Sequence, residues 1–176
     1  MDLEQRILKL VSSKNSYIHD DCAYLSKSEQ LISTDTLVES VHFNLKHFDA
    51  SKIAHRLFVC NYSDIQSSGG YPEYALLNIS FPTKSFKITQ QIVKFFKKLL
   101  TKHNIKLIGG DTTSSSKIYL SGTFISKPIK KSEIINRKNA KVGDSIYTFN
   151  NNGDISFKLS IRNFFLDCLD NSFKEE

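Results

Sequence analysis

An α+β fold, with helices covering one face of a mixed sheet, is predicted for this 176-residue chain from three observations. Segments with a helical apolar repeat and segments with a two-residue repeat run in the order αββαβαββ, then a further strand and a helix. The apolar fraction is 40% and the charged fraction 24%, close to a globular average, which excludes a disordered or collagen-like chain. At roughly 150 residues per domain the length amounts to one domain and a little more, enough to bury about two thirds of the unfolded surface without staples.

The elements follow in order. Leu3 to Val11 reads as a short helix with Leu3, Ile7, Leu10 and Val11 on one face. Cys22 to Leu25 and Gln30 to Thr34 read as two short strands joined by a polar turn. Ala50 to about Ser67 is predicted helical, with Ile53, Leu57, Cys60 and Ile65 as its stripe, and Gly69-Gly70 and Pro72 stop it. Tyr74 to Phe81 is a strand ended by Pro82. Ser85 to His103 is the clearest helix: Ile88, Ile92, Phe96 and Leu99 repeat at helical spacing and lysines lie opposite. Lys106 to Ile108 is a strand running into Gly109-Gly110-Asp111, and Lys117 to Ser126 alternates as another. A basic loop leads to a short strand, Ser145 to Phe149, and Ile155 to Leu169 is expected to close the chain as an amphipathic helix. The domain expectation is 1–145 for the first unit and 146–176 for the start of a second.

Cys22, Cys60 and Cys168 are odd in number and widely spaced, without a CxxC, so neither a disulfide framework nor a zinc knuckle is expected. The acidic opening Met1-Asp2-Leu3-Glu4 carries no signal-peptide pattern, and no apolar run approaches the ~18 residues of a membrane span. A soluble cytoplasmic protein is expected, with no nucleic-acid or membrane partner. The net charge is +6, and between Glu73 and Asp111 there are seven lysines and no acidic residue. Such a face suits a polyanion, but it also suits the solvated side of an amphipathic helix, the reading preferred here.

Four groups of Asp residues sit beside small polar residues at predicted element ends. They are Asp20-Asp21, Asp35 within Ser33-Thr34-Asp35-Thr36, Asp64 after Ser63, and Asp111 within Gly109-Gly110-Asp111-Thr112-Thr113. Carboxylates and hydroxyls are hard donors suited to Mg²⁺ or Mn²⁺. Carboxylates gathered in one pocket repel unless cations neutralise them, and such cations would carry phosphate. Taken singly, each Asp also fits a helix cap or turn. No Walker A loop, GxGxxG fingerprint or kinase catalytic loop is present. His42 and His55 are candidate bases.

The stretch Ile18-His19-Asp20-Asp21-Cys22-Ala23, then Leu31 to Phe43 (Leu-Ile-Ser-Thr-Asp-Thr-Leu-Val-Glu-Ser-Val-His-Phe), resembles the N-terminal half of thiamine-monophosphate kinase, a family of the aminoimidazole-ribonucleotide-synthetase-like superfamily. Asn61-Tyr62-Ser63-Asp64-Ile65, Ile108 to Thr113 and Arg137 to Tyr147 resemble its next motifs, in order. The resemblance implies a sheet of about four strands, with helices on one face, that dimerises through the sheet. It implies transfer of the ATP γ-phosphoryl to thiamine monophosphate, giving thiamine diphosphate by Mg²⁺-assisted in-line transfer. By motif, Asp21, Ser33, Thr34, Asp35, Asp64 and Asp111 would hold several Mg²⁺ ions. Gly110, Asp111 and Arg137 would border the nucleotide, and His42 would touch the thiamine phosphate. The chain departs from the family pattern at His19, at Gln66-Ser67-Ser68 and at Ser114. The family chain is nearly twice as long, so two readings stand together. One is a shortened kinase. The other is a split or non-catalytic module that binds Mg-nucleotide, dimerises, and needs a second chain for activity.

Overall fold

A computed structural model of the chain describes residues 3–11, 20–130, 134–144, 146–149 and 155–159. The described elements are α1 (Leu3–Val11), β1 (Ala23–Leu25), β2 (Gln30–Val38), α2 (Ala50–Ser67), β3 (Gly70–Phe81), α3 (Phe86–Lys102), β4 (Lys106–Ser114), β5 (Tyr119–Pro128), β6 (Ile146–Phe149) and β7 (Ile155–Leu159). The chain divides into two compact units, Met1–Arg137 and Lys138–Glu176.

In the first unit five strands form one sheet in the order β1-β2-β5-β3-β4. Neighbours are antiparallel except β3 and β4, which run parallel. The period-two alternation decides which side is covered. Leu31 and Leu37 of β2, Ala75 and Leu77 of β3, and Leu120 and Phe124 of β5 are buried, and the residues between them are more open. Phe124 sits under both helices, with ring centroids 5.7 Å from Phe58 of α2 and 6.2 Å from Phe96 of α3. The helices therefore share one face of the sheet, and the α+β expectation holds with a fifth strand added.

The differences from expectation have local causes. β2 runs four residues past Thr34, because Asp35 to Val38 continue the ladder with Gly122 to Tyr119 of β5. β4 likewise carries Gly109, Gly110 and Asp111 inside the strand, paired with Leu76, Leu77 and Asn78. Asp35 and Asp111 are thus strand residues, not residues that follow a strand. β3 starts at Gly70, and a register shift between Pro72 and Tyr74 absorbs the proline, which cannot donate to a ladder. Ile155 to Leu159 is a strand, not the start of a helix. It pairs antiparallel with Ile146–Phe149 just before it, a hairpin that an apolar repeat alone cannot reveal. Residues 160–169 of the expected helix, and His19, lie outside the described residues.

The lysine side of α3 borders an open groove of about 650 Å³ lined by Lys94, Phe95, Lys97 and Lys98, and Lys98 Nζ sits 5.5 Å over the Phe95 ring. Among the described residues no helix is long and apolar enough to cross a membrane.

Candidate functional site

The polar residues gather where the last turns of α2 meet β2. Alternation puts Ser33 and Asp35 on the helix side of β2, and one turn of α2 places Asn61 and Asp64 against them. Ser33 Oγ donates to Asp64 Oδ2 at 2.9 Å. The Asp35 backbone N–H donates to Asn61 Oδ1 at 3.1 Å, and Asn61 Nδ2 donates to the Leu57 carbonyl at 3.0 Å. At the same end of the sheet, just before β1, Asp21 accepts from Nε and Nη2 of Arg137, a two-point ion pair. The Arg137 backbone N–H donates to Asp20 Oδ1 at 2.7 Å. The segment leading to Arg137 is held beside α2 by Ile135 N–H donating to the Ser68 carbonyl at 3.3 Å.

The electrostatics follow from this crowding. Burial pushes the Asp64 carboxyl above the ordinary carboxylate range, the Asp35 and Asp21 charges push it the same way, and the Ser33 bond and Arg137 oppose them. Hydrogen bonding and charge attraction from Asp21 keep Arg137 firmly protonated. Cys60, one turn before Asp64, is raised by burial and then by Asp35, and burial carries Cys22 to about 11. Both thiols stay neutral near pH 7 and act as small apolar groups.

The other predicted residues lie elsewhere. Thr34 faces the other side of β2, where its hydroxyl donates to the Gly122 carbonyl at 3.0 Å and meets Thr123 Oγ1 at 2.9 Å. Asp111 lies three strands from β2, about 14 Å at the usual strand spacing, and its Oδ1 accepts from the Thr112 N–H. Register puts Asp111 level with Asn78 and Ser121, in the row of Thr36 and so on the open face. Gly110 takes φ +148°, and a Cβ there would stand 1.9 Å from the Leu77 carbonyl oxygen. His42 sits in the turn after β2: its Nδ1 accepts from the Val38 N–H at 3.0 Å, and Arg56 Nη1 donates to its carbonyl at 2.7 Å. The neutral ring therefore carries its proton on Nε2. His55 is exposed on α2.

The structure thus brings together Asp21, Ser33, Asp35, Asp64 and Arg137, and leaves Thr34, His42, Gly110 and Asp111 apart from them. Sequence reasoning passed over Asn61, and it named Asp20 beside Asp21 without giving it a role, although both stood inside quoted motifs. Their signal is a bond to a distant backbone, and spacing does not carry it. The donor set is all oxygen, and its repulsion is met in part by one guanidinium, so its chemistry fits a hard divalent cation. Among the described residues no three His, Cys, Asp or Glu side chains are close enough to share one ion.

The model of the AIR synthase related protein, N-terminal domain, matches residues 19–127. The thiamine-monophosphate kinase of Leptospira interrogans is 33% identical over 150 residues, which are 82% of this chain and 46% of that protein. The chain spans about half the length of such relatives. Among solved structures, AaThiL complexed with AMPPCP and TMP superposes with a TM-score of 0.73 at 23% identity, over 99% of this chain and 53% of the other. The thiamine monophosphate kinase of Aquifex aeolicus gives a TM-score of 0.71 at 22% identity, over 99% and 54%. At these identities the superpositions carry the fold.

Proposed function

Because the chain belongs to the AIR synthase related protein family through that family's N-terminal domain, we propose that it is the nucleotide- and Mg²⁺-binding half of a thiamine-monophosphate kinase. The observation that carries this reading is the gathering of Asp21, Ser33, Asp35 and Asp64 at one end of α2, with the Asp64 carboxyl raised by burial and by the Asp35 and Asp21 charges. Carboxylates held this close need a counter-charge, and a metal–phosphate complex supplies one.

On this reading Asp21, Asp35 and Asp64 would bind Mg²⁺ without all three sharing one ion, and the Ser33 hydroxyl fixes the Asp64 carboxylate. Thr34 and Asp111 lie apart from this cluster and would enter as ligands on the motif alone. Bound Mg²⁺ would neutralise phosphate charge during transfer. Arg137 exchanges Asp21 for the nucleotide phosphates, and Gly110, which has no Cβ, keeps the backbone beside Asp111 open to the nucleotide. His42 presents its Nε2 proton to the phosphate of thiamine monophosphate. A phosphate oxygen of that substrate attacks Pγ in line, the bond from Pγ to the bridging oxygen breaks, and ADP leaves with its electron pair. No side-chain nucleophile is needed.

The half-length match favours a second reading alongside the first: this unit binds Mg-nucleotide but turns over only with a second chain carrying the remaining half. The exposed parallel edge strand β4, with Ile108 at 55% exposure, supports a homodimer formed through the sheet. Thiamine diphosphate formation by the purified chain with ATP, thiamine monophosphate and Mg²⁺ tests the proposal. Turnover abolished by Asp35→Asn supports a self-sufficient kinase. Mg²⁺-dependent ATP binding without turnover supports the half-enzyme. Absence of both overturns the proposal.

A further inference from the structure

We infer that Asn61 and Gly122 form a built support that fixes Asp35 as a metal ligand, so that Asn61 is a positioning residue of the site. The inference rests on the Mg²⁺-binding reading above. Asn61 is fully buried, at 0% exposure, the most enclosed polar side chain in the structure's core. A buried amide is costly unless its groups are paired, and Asn61 pairs them across two elements. Its nitrogen holds the Leu57 carbonyl one turn back on α2, and its oxygen takes the Asp35 N–H of β2.

This second bond reaches β2 where strand pairing leaves an opening. β1 pairs with β2 only as far as Ile32, so among the described residues the outer edge of β2 at Asp35 has no strand partner. The amide of Asn61 takes that place. The side chain of Asp35 stays half-buried beside Cys60 and Asp64.

The space for the amide comes from Gly122. A Cβ at Gly122 would stand 2.8 Å from Asn61 Nδ2 and 3.3 Å from its Cγ. Gly122 is also the register partner of Asp35 across the β2–β5 ladder. One glycine therefore sits opposite the ligand and beneath the amide that holds it. An alanine there pushes the amide away from Asp35 without touching a carboxylate. Outer groups of this kind set the orientation of a ligand, and their loss lowers metal affinity about 10–100-fold.

The test titrates the full chain with Mn²⁺, followed by electron paramagnetic resonance, and measures hydrogen exchange at the Asp35 amide without metal. The variants are Asn61→Ala, Gly122→Ala, and Ile92→Val as a core change remote from the site, each with a thermal melt. The expected result is faster exchange at Asp35 and an affinity lower by about tenfold or more in the first two variants. Ile92→Val should lower the melting temperature and leave the affinity unchanged. Natural-chain Mn²⁺ binding with unchanged affinity in folded Asn61→Ala overturns the positioning role and leaves the metal reading standing. If Asn61→Ala does not fold, folded Gly122→Ala decides by the same measure. No Mn²⁺ binding by the natural chain overturns both.

Discussion

At the residue scale the crowded carboxylates make opposed demands on stability and function. Asp64 is half-buried and lies near the Asp35 and Asp21 charges, so its folded pKa lies above the unfolded value of about 3.9. The protonated form is favoured in the fold, so stability from this group is greatest below the unfolded pKa and is lost as pH rises through the folded one. Asp64→Asn keeps an acceptor for Ser33 and removes the charge. Without divalent cation it should melt above the natural chain at pH 7, with the gap closing as pH falls toward about 4; calorimetry across that range checks it. Mg²⁺ should raise the melting temperature of the natural chain and not of this variant. Asp35→Asn should lower thiamine diphosphate formation, alone or with a complementing second half, by about 10²-fold or more, since charge placement is the main contribution to such transfers. Little of this crowding was legible in the sequence. Each Asp was flagged by its company of small polar residues, but the separation of Asp111 and Thr34 from the cluster depends on strand order and on which face a residue takes.

At the element scale two features hold the site in place. Phe124 of β5 packs between Phe58 and Phe96, and Phe124→Ala should cost about 3–5 kcal/mol in urea denaturation. Gly110→Ala meets both the φ of +148° and the Leu77 carbonyl, so it should cost at least about 1–3 kcal/mol and separate β4 from β3. Rapid exchange of the β4 amides would report that separation. The helices were legible because α2 and α3 carry full apolar stripes over four or more turns. The strand ends were not, because Asp35 to Val38 and Gly109 to Ser114 are polar or glycine-rich and owe their extension to partners far along the chain. Ile155 to Leu159 failed for another reason: its apolar residues suit a helix, and a hairpin partner 6 to 13 residues earlier makes it a strand.

At the scale of the whole molecule the exposed edge strand β4 points to assembly. All nine residues of β4 are exposed, Leu107 and Ile108 among them. Sedimentation at micromolar concentration should give a dimer, and Ile108→Lys should shift it toward monomer, as an edge charge does. A monomeric natural chain would remove the dimer from the proposed function while leaving the metal cluster untouched.

The sequence by itself determined helices α1 to α3, the mixed-sheet class and the family, because these rest on short-range periodicity and on motifs contiguous in the chain. It also supplied every acidic residue of the site. Only the tertiary structure decided which of them meet. It set Ser33 and Asp35 against Asp64, paired Asp21 with Arg137, turned Thr34 and Asp111 to the open face, and placed Asn61 over Gly122. The physical reason is that hydrogen bonds and charge pairs act across a few ångströms of space, whereas these residues lie 26 to 116 positions apart in the chain.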